Sequence, residues 1–340
     1  MPAALGEPES AGRGRLVVGV DSGGSGLRFA VARADDPDAR PVATRVCDQP
    51  VRTGPTGIDA GHLLEQLLPA VEELTRTAGG GDVAAVCVGA AGMATLGDDL
   101  RTRLPGALAS AFGVRHLALA ADAVTAYAGA LGQRPGAVVA AGTGMIAMGT
   151  DLTPAGGWRR ADGWGHLLGD CGSGAWIGRA GLEAAMRAHD GRPGGSDTLL
   201  ARAQAVFGPV TGLPSRLYPR SDRPAVLASF APEVARCATE GDAVAESILG
   251  DAARHVADAA AAVCPPGPSR VALTGGLFRM GEVLLSPLRA ALAERLPEAV
   301  RTEAAGSPLD GALVIASALA GGRLVLPSDA RLLQITCPVG

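Results

Sequence analysis

The stretch "VVGVDSGGSGLRFAVARADD", residues 17–36, decides the fold. A short apolar run ends in Asp21, a Ser-Gly-Gly-Ser-Gly turn follows, and a second apolar run begins at Leu27. This pattern predicts a β-hairpin, because glycine permits the positive φ angles of tight turns. Successive backbone N–H groups in such a turn form a concave site for an anion. We therefore expect a phosphate-binding hairpin beside a carboxylate; the alternative is that Asp21 only caps the turn.

The opening pattern returns further along the chain. The stretch "GAVVAAGTGMIAMGT", residues 136–150, again has the order strand, Gly-Thr-Gly turn, strand. A third related stretch, "VALTGGLF" at 271–278, predicts a strand that ends at two glycines. Because strands alternate with helical patterns, the sequence predicts an α/β fold with mixed sheets. Two similar lobes, each opening with a glycine-rich hairpin, are the simplest arrangement.

Further elements follow from periodicity and turn residues. Helices are predicted at residues 61–77, 98–112, 122–131, 174–190, 225–263, 281–296 and 308–321, and loops at 190–197 and 206–224. The predicted organisation is a disordered leader at 1–14, an N-terminal lobe at 15–121, a C-terminal lobe at 122–325 and a tail at 326–340. The last helix, 308–321, is expected to pack back toward the N-terminal lobe.

Composition narrows the functional classes. The chain has 340 residues, 47% of them apolar, and a net charge of −4, which suits two domains and offers no basic surface for nucleic acid. No apolar run is long enough to span a membrane and the N-terminus lacks an apolar signal core, so we expect a cytoplasmic protein.

The residue types also exclude specific chemistries. All 30 basic residues are arginine, so a lysine-containing phosphate loop, a protein-kinase strand lysine and a pyridoxal Schiff base are excluded. The six cysteines form no CxxC pair, which argues against a zinc site and a disulfide framework.

Six segments occur in the order seen in N-acetylglucosamine kinases. They are "GVDSGGSGLR" (19–28), "AADAV" (120–124), "AGTGMIAMG" (141–149), "GWGHLLGDCGSGAWIG" (163–178), "LTGGLF" (273–278) and "PLDGALVIA" (308–316). The chain resembles a bacterial member of the BadF/BadG/BcrA/BcrD-type ATPase and N-acetylglucosamine kinase family, within the actin, Hsp70 and sugar-kinase superfamily. The resemblance covers residues 16–322 and implies two ribonuclease-H-like (actin-like ATPase) lobes around a nucleotide cleft. It also implies ATP and Mg²⁺ as cofactors and a homodimer.

The resemblance assigns roles to individual positions. On the nucleotide side they are Asp21 for Mg²⁺, Gly23, Gly24 and Ser25 in the first phosphate loop, Gly142, Thr143 and Gly144 in the second, and Gly275 and Gly276 in the adenosine loop. On the sugar side they are Trp164, Gly165, His166 and Asp170 in the signature block and Thr53 in the loop 51–57. Asp122 matches the catalytic aspartate, which also touches the sugar.

The chemistry of these residues agrees with sugar phosphorylation. Asp122 follows an apolar run at the carboxyl end of a strand, where it could accept the proton of an attacking sugar hydroxyl; the alternative is that it caps the next helix. Asp170 could bind ring hydroxyls or cap a helix. His166 could be a base, although a packed histidine is favoured. Trp164 and Trp176 could wall the sugar, with core packing favoured for Trp176.

Two departures from the family pattern leave the amino sugar open. Cys171 stands where the family signature has a glutamate, and Thr53 and Thr56 stand in a loop where relatives carry an asparagine. We expect an ATP-dependent hexosamine kinase that makes a 6-phosphate. N-acetylglucosamine is the first candidate, and glucosamine and N-acetylmuramic acid are the alternatives.

Two other classes stay open. One is an ATPase that activates a radical dehydratase through an iron–sulfur cluster, for which Cys171 has no second cysteine at a matching position. The other is a sugar sensor without catalysis; the residues before the first strand are too few for a DNA-binding element.

Overall fold

The computed structural model describes residues 14–23, 26–54 and 57–336. The predictions for Gly24, Ser25 and Thr56, and almost all of the leader, lie outside the described residues. The strands are β1 (Leu16–Gly23), β2 (Gly26–Arg33), β3 (Pro41–Cys47), β4 (Thr53–Gly54), β5 (Gly57–Ile58), β6 (Val83–Ala90), β7 (His116–Ala121), β8 (Gly136–Ala141), β9 (Met145–Thr150), β10 (Arg159–Asp162), β11 (Arg270–Thr274), β12 (Val300–Glu303) and β13 (Leu333–Thr336).

The helices follow the same chain order. They are α1 (Ala60–Thr77), α2 (Met93–Leu96), α3 (Asp98–Phe112), α4 (Asp122–Leu131), α5 (Gly174–His189), α6 (Asp197–Phe207), α7 (Leu213–Leu217), α8 (Arg223–Ala228), α9 (Ala231–Thr239), α10 (Ala243–Val263), α11 (Glu282–Arg295) and α12 (Pro308–Ala320). Short 3₁₀ helices lie at Val210–Gly212 and Gly276–Met280. No helix within the described ranges has both the length and the apolar character needed to cross a membrane.

The chain divides into two compact units. The first unit runs to Thr125 and also takes in Pro308–Leu324 and the described residues from Ala330 onward. The second unit consists of Ala126–Ser307 and Val325–Asp329. The mixed α/β architecture predicted from the sequence is confirmed, because each unit has a mixed sheet with helices packed on it.

The first unit is built on a six-stranded sheet in the order β13-β7-β6-β1-β2-β3. Strands β1, β6 and β7 run parallel, and the other three are antiparallel to their neighbours. Small residues let helices approach this sheet closely. A Cβ at Gly19 would lie 3.0 Å from Leu313 of α12, and a Cβ at Gly89 would lie 2.6 Å from Thr125 of α4. The apolar β1 is therefore buried along almost its whole length.

The second unit is built on a five-stranded sheet in the order β10-β9-β8-β11-β12. Strands β8, β11 and β12 run parallel, while β9 and β10 are antiparallel. Its core is rich in alanine from α5, α9 and α10, grouped around the fully buried Phe230. Both predicted hairpins, β1–β2 and β8–β9, are present as antiparallel pairs.

Three sequence predictions are corrected by the structure. The single helix predicted at 225–263 is three helices. Pro232 lies in the first turn of α9, Gly241 (φ 88°) follows the end of α9, and Asp242 caps α10. The loop predicted at 206–224 contains α7 and a 3₁₀ turn. The predicted tail contains β13, which pairs with β7.

Candidate functional site

Asp21 lies near the end of β1 and is only 6% exposed. It pairs across the hairpin with Arg28, whose Nη1 is 3.1 Å from the Asp21 Oδ2. Burial raises the pKa of Asp21, and the hydrogen bond and charge of Arg28 oppose that rise. At Gly23 the space where a Cβ would stand is open. The described part of the first hairpin thus carries a buried carboxylate next to an unobstructed backbone.

Asp122 is the first residue of α4, directly after β7. Asp21 is in register with Gly89 of β6, and Gly89 with Ala120 of β7, so Asp122 follows two residues beyond that level. Adjacent strands are about 4.8 Å apart, which separates β1 from β7 by about 10 Å. Both acids therefore stand at the carboxyl edge of one sheet, where open α/β sheets bind ligands. The Oδ1 of Asp122 accepts a hydrogen bond from the N–H of Ala123 at 2.9 Å.

The turn of the second hairpin is held by the start of α5. The N–H groups of Gly174 and Ala175 donate to the carbonyls of Gly142 and Thr143 at 2.8 and 3.0 Å. Ser173 caps the helix, since its Oγ accepts from the N–H of Trp176 at 3.2 Å. A helix N-terminus leaves N–H groups without helical partners, and here they pair with turn carbonyls. The geometry of the turn therefore depends on α5.

The two glycines after β11 have different constraints. Gly275 has a φ of 107°, and a Cβ on it would lie 2.1 Å from the carbonyl oxygen of Ala141. Gly276 has open space where its Cβ would be. Gly275 therefore fits the turn against the end of β8, while Gly276 leaves space open beside it.

A cavity of about 730 Å³ in the second unit unites two of the predicted nucleotide segments. Gly142 and Thr143 line one part of it, and Gly276 lines another. The remaining lining comes from α5, α8, α9 and the 3₁₀ turn after β11: Gly174, Ala228, Ala231, Pro232, Ala235, Arg236, Thr239, Glu240, Leu277, Arg279 and Met280. The size and mostly apolar lining are typical of a small-molecule site with a few orienting polar groups. Sequence reasoning missed the α9 contribution, because alanines on a helix carry no distinctive signal.

The signature block is the stretch 163–178. Its residues 163–173 form a loop between β10 and α5, the signature loop, which has an exposed apolar surface. Trp164, Leu167 and Leu168 are 65%, 77% and 85% exposed, and His166 is half-buried. Asp170 has a φ of 54°, and its Oδ1 accepts from the N–H of Gly165 at 3.1 Å. The structure thus links Asp170 to Gly165, two of the predicted sugar residues.

Asp170 also meets the second hairpin. Its carboxylate accepts a hydrogen bond from the N–H of Met145, and a Cβ on Gly144 would lie 2.7 Å from its Oδ2. Burial is the main cause that raises the pKa of Asp170, and the charge of Asp162 adds to it. The hydrogen bond from Gly165, the charge of His166 and the Met145 bond oppose the rise. Asp170 therefore joins the signature loop to the predicted phosphate turn.

Two other residues considered for the sugar site, Trp176 and Thr53, have different surroundings. Trp176 packs edge-on against His255, with ring centroids 5.1 Å apart, and borders the hydrophobic core. Core packing, which the sequence favoured for Trp176, agrees with this contact. Thr53 is exposed on the short β4–β5 ribbon of the first unit, where it pairs with Ile58.

Magnesium was expected at Asp21, and the donor set fits a lightly held ion. Within the described residues, no group of three or more His, Cys, Asp or Glu side chains could hold a metal ion. Mg²⁺ in phosphoryl-transfer sites usually keeps several waters and binds one or two carboxylates plus substrate phosphates. A single buried carboxylate such as Asp21 meets that requirement.

The chain matches known proteins over most of its length. Residues 18–316 match the model of the BadF/BadG/BcrA/BcrD ATPase family. An N-acetylmuramic acid/N-acetylglucosamine kinase of Clostridium acetobutylicum is 28% identical over 251 residues, which are 71% of this chain and 77% of that protein.

Solved structures give the same result for the fold. A protein of Chromobacterium violaceum, provisionally named an N-acetylglucosamine kinase, is 28% identical with a TM-score of 0.66, covering 90% of this chain and 99% of that one. A ROK family glucokinase of Streptomyces griseus, solved with glucose and AMPPNP, is 20% identical with a TM-score of 0.53, covering 90% of this chain and 100% of that one. The latter likeness shows the actin-like ATPase fold alone.

Proposed function

Because the chain belongs to the BadF/BadG/BcrA/BcrD ATPase family, we propose that it is an ATP-dependent kinase that phosphorylates the 6-hydroxyl of an amino sugar. N-acetylglucosamine is the first candidate substrate, and N-acetylmuramic acid and glucosamine are the alternatives. The relatives from C. acetobutylicum and C. violaceum, both named as kinases of such sugars, support this choice.

The observation that carries the proposal is the cavity of about 730 Å³ in the second unit. It brings the Gly142–Thr143 turn and Gly276 to one space although these segments are far apart in the sequence. In the proposal, the apolar lining receives the adenosine, and the backbone N–H groups of the glycine-rich turns receive phosphate oxygens. Two arginines, Arg236 and Arg279, are the basic residues on the lining of the cavity.

Asp122 is the proposed general base. Its carboxylate would take the proton from the sugar 6-hydroxyl while the hydroxyl oxygen forms a bond to the γ-phosphorus of ATP and the bond to the leaving ADP oxygen breaks. Asp21 would hold Mg²⁺, which supplies charge neutralisation to the phosphates when bound. Little other covalent chemistry is asked of the protein, because phosphoryl transfer depends mainly on positioning and electrostatics.

The sugar is assigned to the signature block. Asp170 offers a carboxylate for ring hydroxyls, and its hydrogen bond to Met145 ties it to the hairpin that ends at the cavity. Trp164 exposes an aromatic face, which suits the apolar face of a sugar ring. The Gly165 N–H orients the Asp170 carboxylate. Thr53 and His166 remain proposed sugar contacts.

The test is ATP consumption with Mg²⁺ and a panel of sugars, with product masses measured. The panel holds N-acetylglucosamine, glucosamine, N-acetylmuramic acid, N-acetylmannosamine and glucose. We expect turnover on one amino sugar and a phosphate at its 6-position. Turnover on none of the panel, with ATP still bound, would overturn the kinase proposal.

The matched variants are Asp122→Asn and Asp98→Asn. Both acids begin a helix in the first unit, but Asp98 is an exposed partner of Arg101 at the start of α3. Loss of a general base typically lowers turnover about 10²- to 10⁴-fold. We expect that loss in Asp122→Asn with ATP binding retained, and wild-type turnover in Asp98→Asn. Equal turnover in the two variants would remove Asp122 from the mechanism.

A further inference from the structure

Asp162, which no sequence motif singled out, lies at the point where the signature loop begins. It is the last residue of β10, in register with Ile146 of β9, and has a φ of 59°. Side chains with a Cβ rarely adopt this left-handed conformation, and Asp and Asn tolerate it better than most. An aspartate therefore fits this position, and the role of its carboxylate follows from its contacts.

The carboxylate of Asp162 binds the backbone at the C-terminal end of the loop. Its Oδ1 accepts the N–H of Asp170 at 2.5 Å, and its Oδ2 accepts the N–H of Cys171 at 2.9 Å. The loop backbone folds directly over it, since a Cβ on Gly169 would lie 2.4 Å from the Asp162 Oδ1. The side chain of Asp162, which precedes the loop, thus binds Asp170 and Cys171 at the other end of the loop through two charge-assisted hydrogen bonds.

Arg160 holds the near end of the same loop. Its Nε donates to the carbonyl of Asp162 at 3.1 Å, and its Nη2 donates to the carbonyl of Gly163 at 2.6 Å. Its guanidinium carbon lies 4.5 Å from the ring centroid of Trp164. The three apolar side chains of the loop are largely exposed, so packing contributes little and these polar contacts determine the loop's conformation.

We propose that Asp162 is a positioning residue for the sugar site. By binding the N–H of Asp170 it fixes the backbone from which the Asp170 carboxylate reaches Gly165 and Met145. The Asp162 carboxylate therefore determines where Asp170 and the loop present themselves to a sugar. This inference rests on the proposed kinase function, and Asp162 itself touches no substrate in it.

The first test compares Asp162→Gly, Asp162→Asn and Asp151→Asn. Glycine keeps the positive φ without strain and removes the carboxylate, whereas asparagine keeps one oxygen acceptor for the Asp170 N–H. Asp151 is the matched control, because its Oδ1 also accepts a backbone N–H two residues on, from Thr153 at 2.9 Å, outside the signature loop.

We expect kcat/KM for the sugar to fall about 10- to 100-fold in Asp162→Gly, from the loss of two charge-assisted hydrogen bonds. Asp162→Asn should lose about 3- to 10-fold because one acceptor remains. The KM for ATP should change by less than about twofold, and Asp151→Asn should match the wild type. A rise in the KM for ATP as large as the fall in kcat/KM for the sugar, or no fall in kcat/KM for the sugar in either Asp162 variant, overturns the proposal.

The second test reads the loop without catalysis. Trp164, Leu167 and Leu168 are exposed chymotrypsin sites. The rate of cleavage after these three residues, located by mass spectrometry, therefore reports how well the loop is held. We expect faster cleavage in Asp162→Gly than in Asp162→Asn, and wild-type cleavage in Asp151→Asn.

The two tests separate the two claims. If no sugar is phosphorylated by the wild type, the proposed function fails, and cleavage rates alone then decide whether Asp162 holds the loop. Wild-type cleavage in both Asp162 variants overturns the positioning role even when sugar kinase activity is present.

Discussion

The turn after β11 gives a direct test of the proposal that the cavity in the second unit binds the nucleotide. Gly275→Ala would place a Cβ 2.1 Å from the carbonyl oxygen of Ala141, in a backbone conformation (φ 107°, ψ 168°) that is almost restricted to glycine. The backbone strain alone costs about 1–3 kcal/mol. The clash involves backbone on both sides and raises the total to about 3–5 kcal/mol, near the upper limit for single substitutions.

This cost is measurable as a change in Tm. One kcal/mol shifts the Tm of a domain of this size by about 2–4 °C, so Gly275→Ala should lower the Tm by about 6 °C or more. Gly276→Ala is the matched control, because no atom lies within 4 Å of its Cβ position. It should keep the Tm of the wild type within about 2 °C.

The same pair separates stability from nucleotide binding. Gly276 lines the cavity. If the cavity binds the nucleotide as proposed, the added methyl group should weaken ATP binding on the order of 10-fold, about 1.4 kcal/mol. Thermal unfolding with and without ATP, together with calorimetric titration, measures both effects. Equal Tm values for the two variants would refute the steric argument. Wild-type ATP affinity in Gly276→Ala would refute the assignment of the cavity to the nucleotide.

Two further predictions concern buried polar side chains. Burial is the largest cause that raises the pKa of Asp21 in the folded protein. The folded state therefore binds the proton of Asp21 more tightly than the unfolded state does. The stability from this proton is complete below the unfolded pKa of about 3.9, and it is lost as the pH rises through the folded pKa. Asp21→Asn removes the buried charge, so it should raise the Tm at pH 7 without nucleotide and raise it less near pH 4. Mg²⁺-dependent turnover should fall in the same variant. A lower Tm than that of the wild type at pH 7 would contradict this prediction. Ser173→Ala removes the buried cap that bonds the N–H of Trp176 and should cost about 1 kcal/mol, or about 2–4 °C. It should also weaken ATP binding, because α5 holds the Gly142 turn, whereas Ser196→Ala, the cap of α6, should lower Tm with ATP affinity unchanged.

The parts of the fold that depend on local signals could be predicted from the sequence. The helix at 98–112 has the predicted bounds, and both glycine-rich hairpins are where their turns indicated. The strand β13 could not be predicted, because it is short and exists through pairing with β7, which is more than two hundred residues earlier. The break-up of the helix at 225–263 was signalled by Pro232 and Gly241, but the apolar periodicity on both sides concealed it.

The candidate site could also be predicted only in part. Glycine-rich turns and strand-terminal acids have recognisable patterns, so the sequence predicts roles for Asp21, Asp122 and the Gly142 turn, which stay predictions. Asp162 has no pattern of its own, since its importance comes from a left-handed φ and from two N–H groups eight and nine residues later. The contribution of α9 to the cavity could not be predicted either, because α9 lines the cavity only where the turn after β11 faces it.

The bonds from α5 to the second hairpin have a consequence for how specificity can change. The hairpin turn leads into β9, and the first N–H groups of α5 bind the carbonyls of that turn, Gly142 and Thr143, so the segment between them, residues 144–173, begins and ends at one place. Doubling the length of a loop with fixed ends costs only about 0.6 kcal/mol. The strands β9 and β10 of this segment belong to the sheet, so a change in length would fall on its loops, which include the signature loop. We expect that a different sugar-binding loop could replace the signature loop while the Gly142 turn and α5, which supports it, stay as they are.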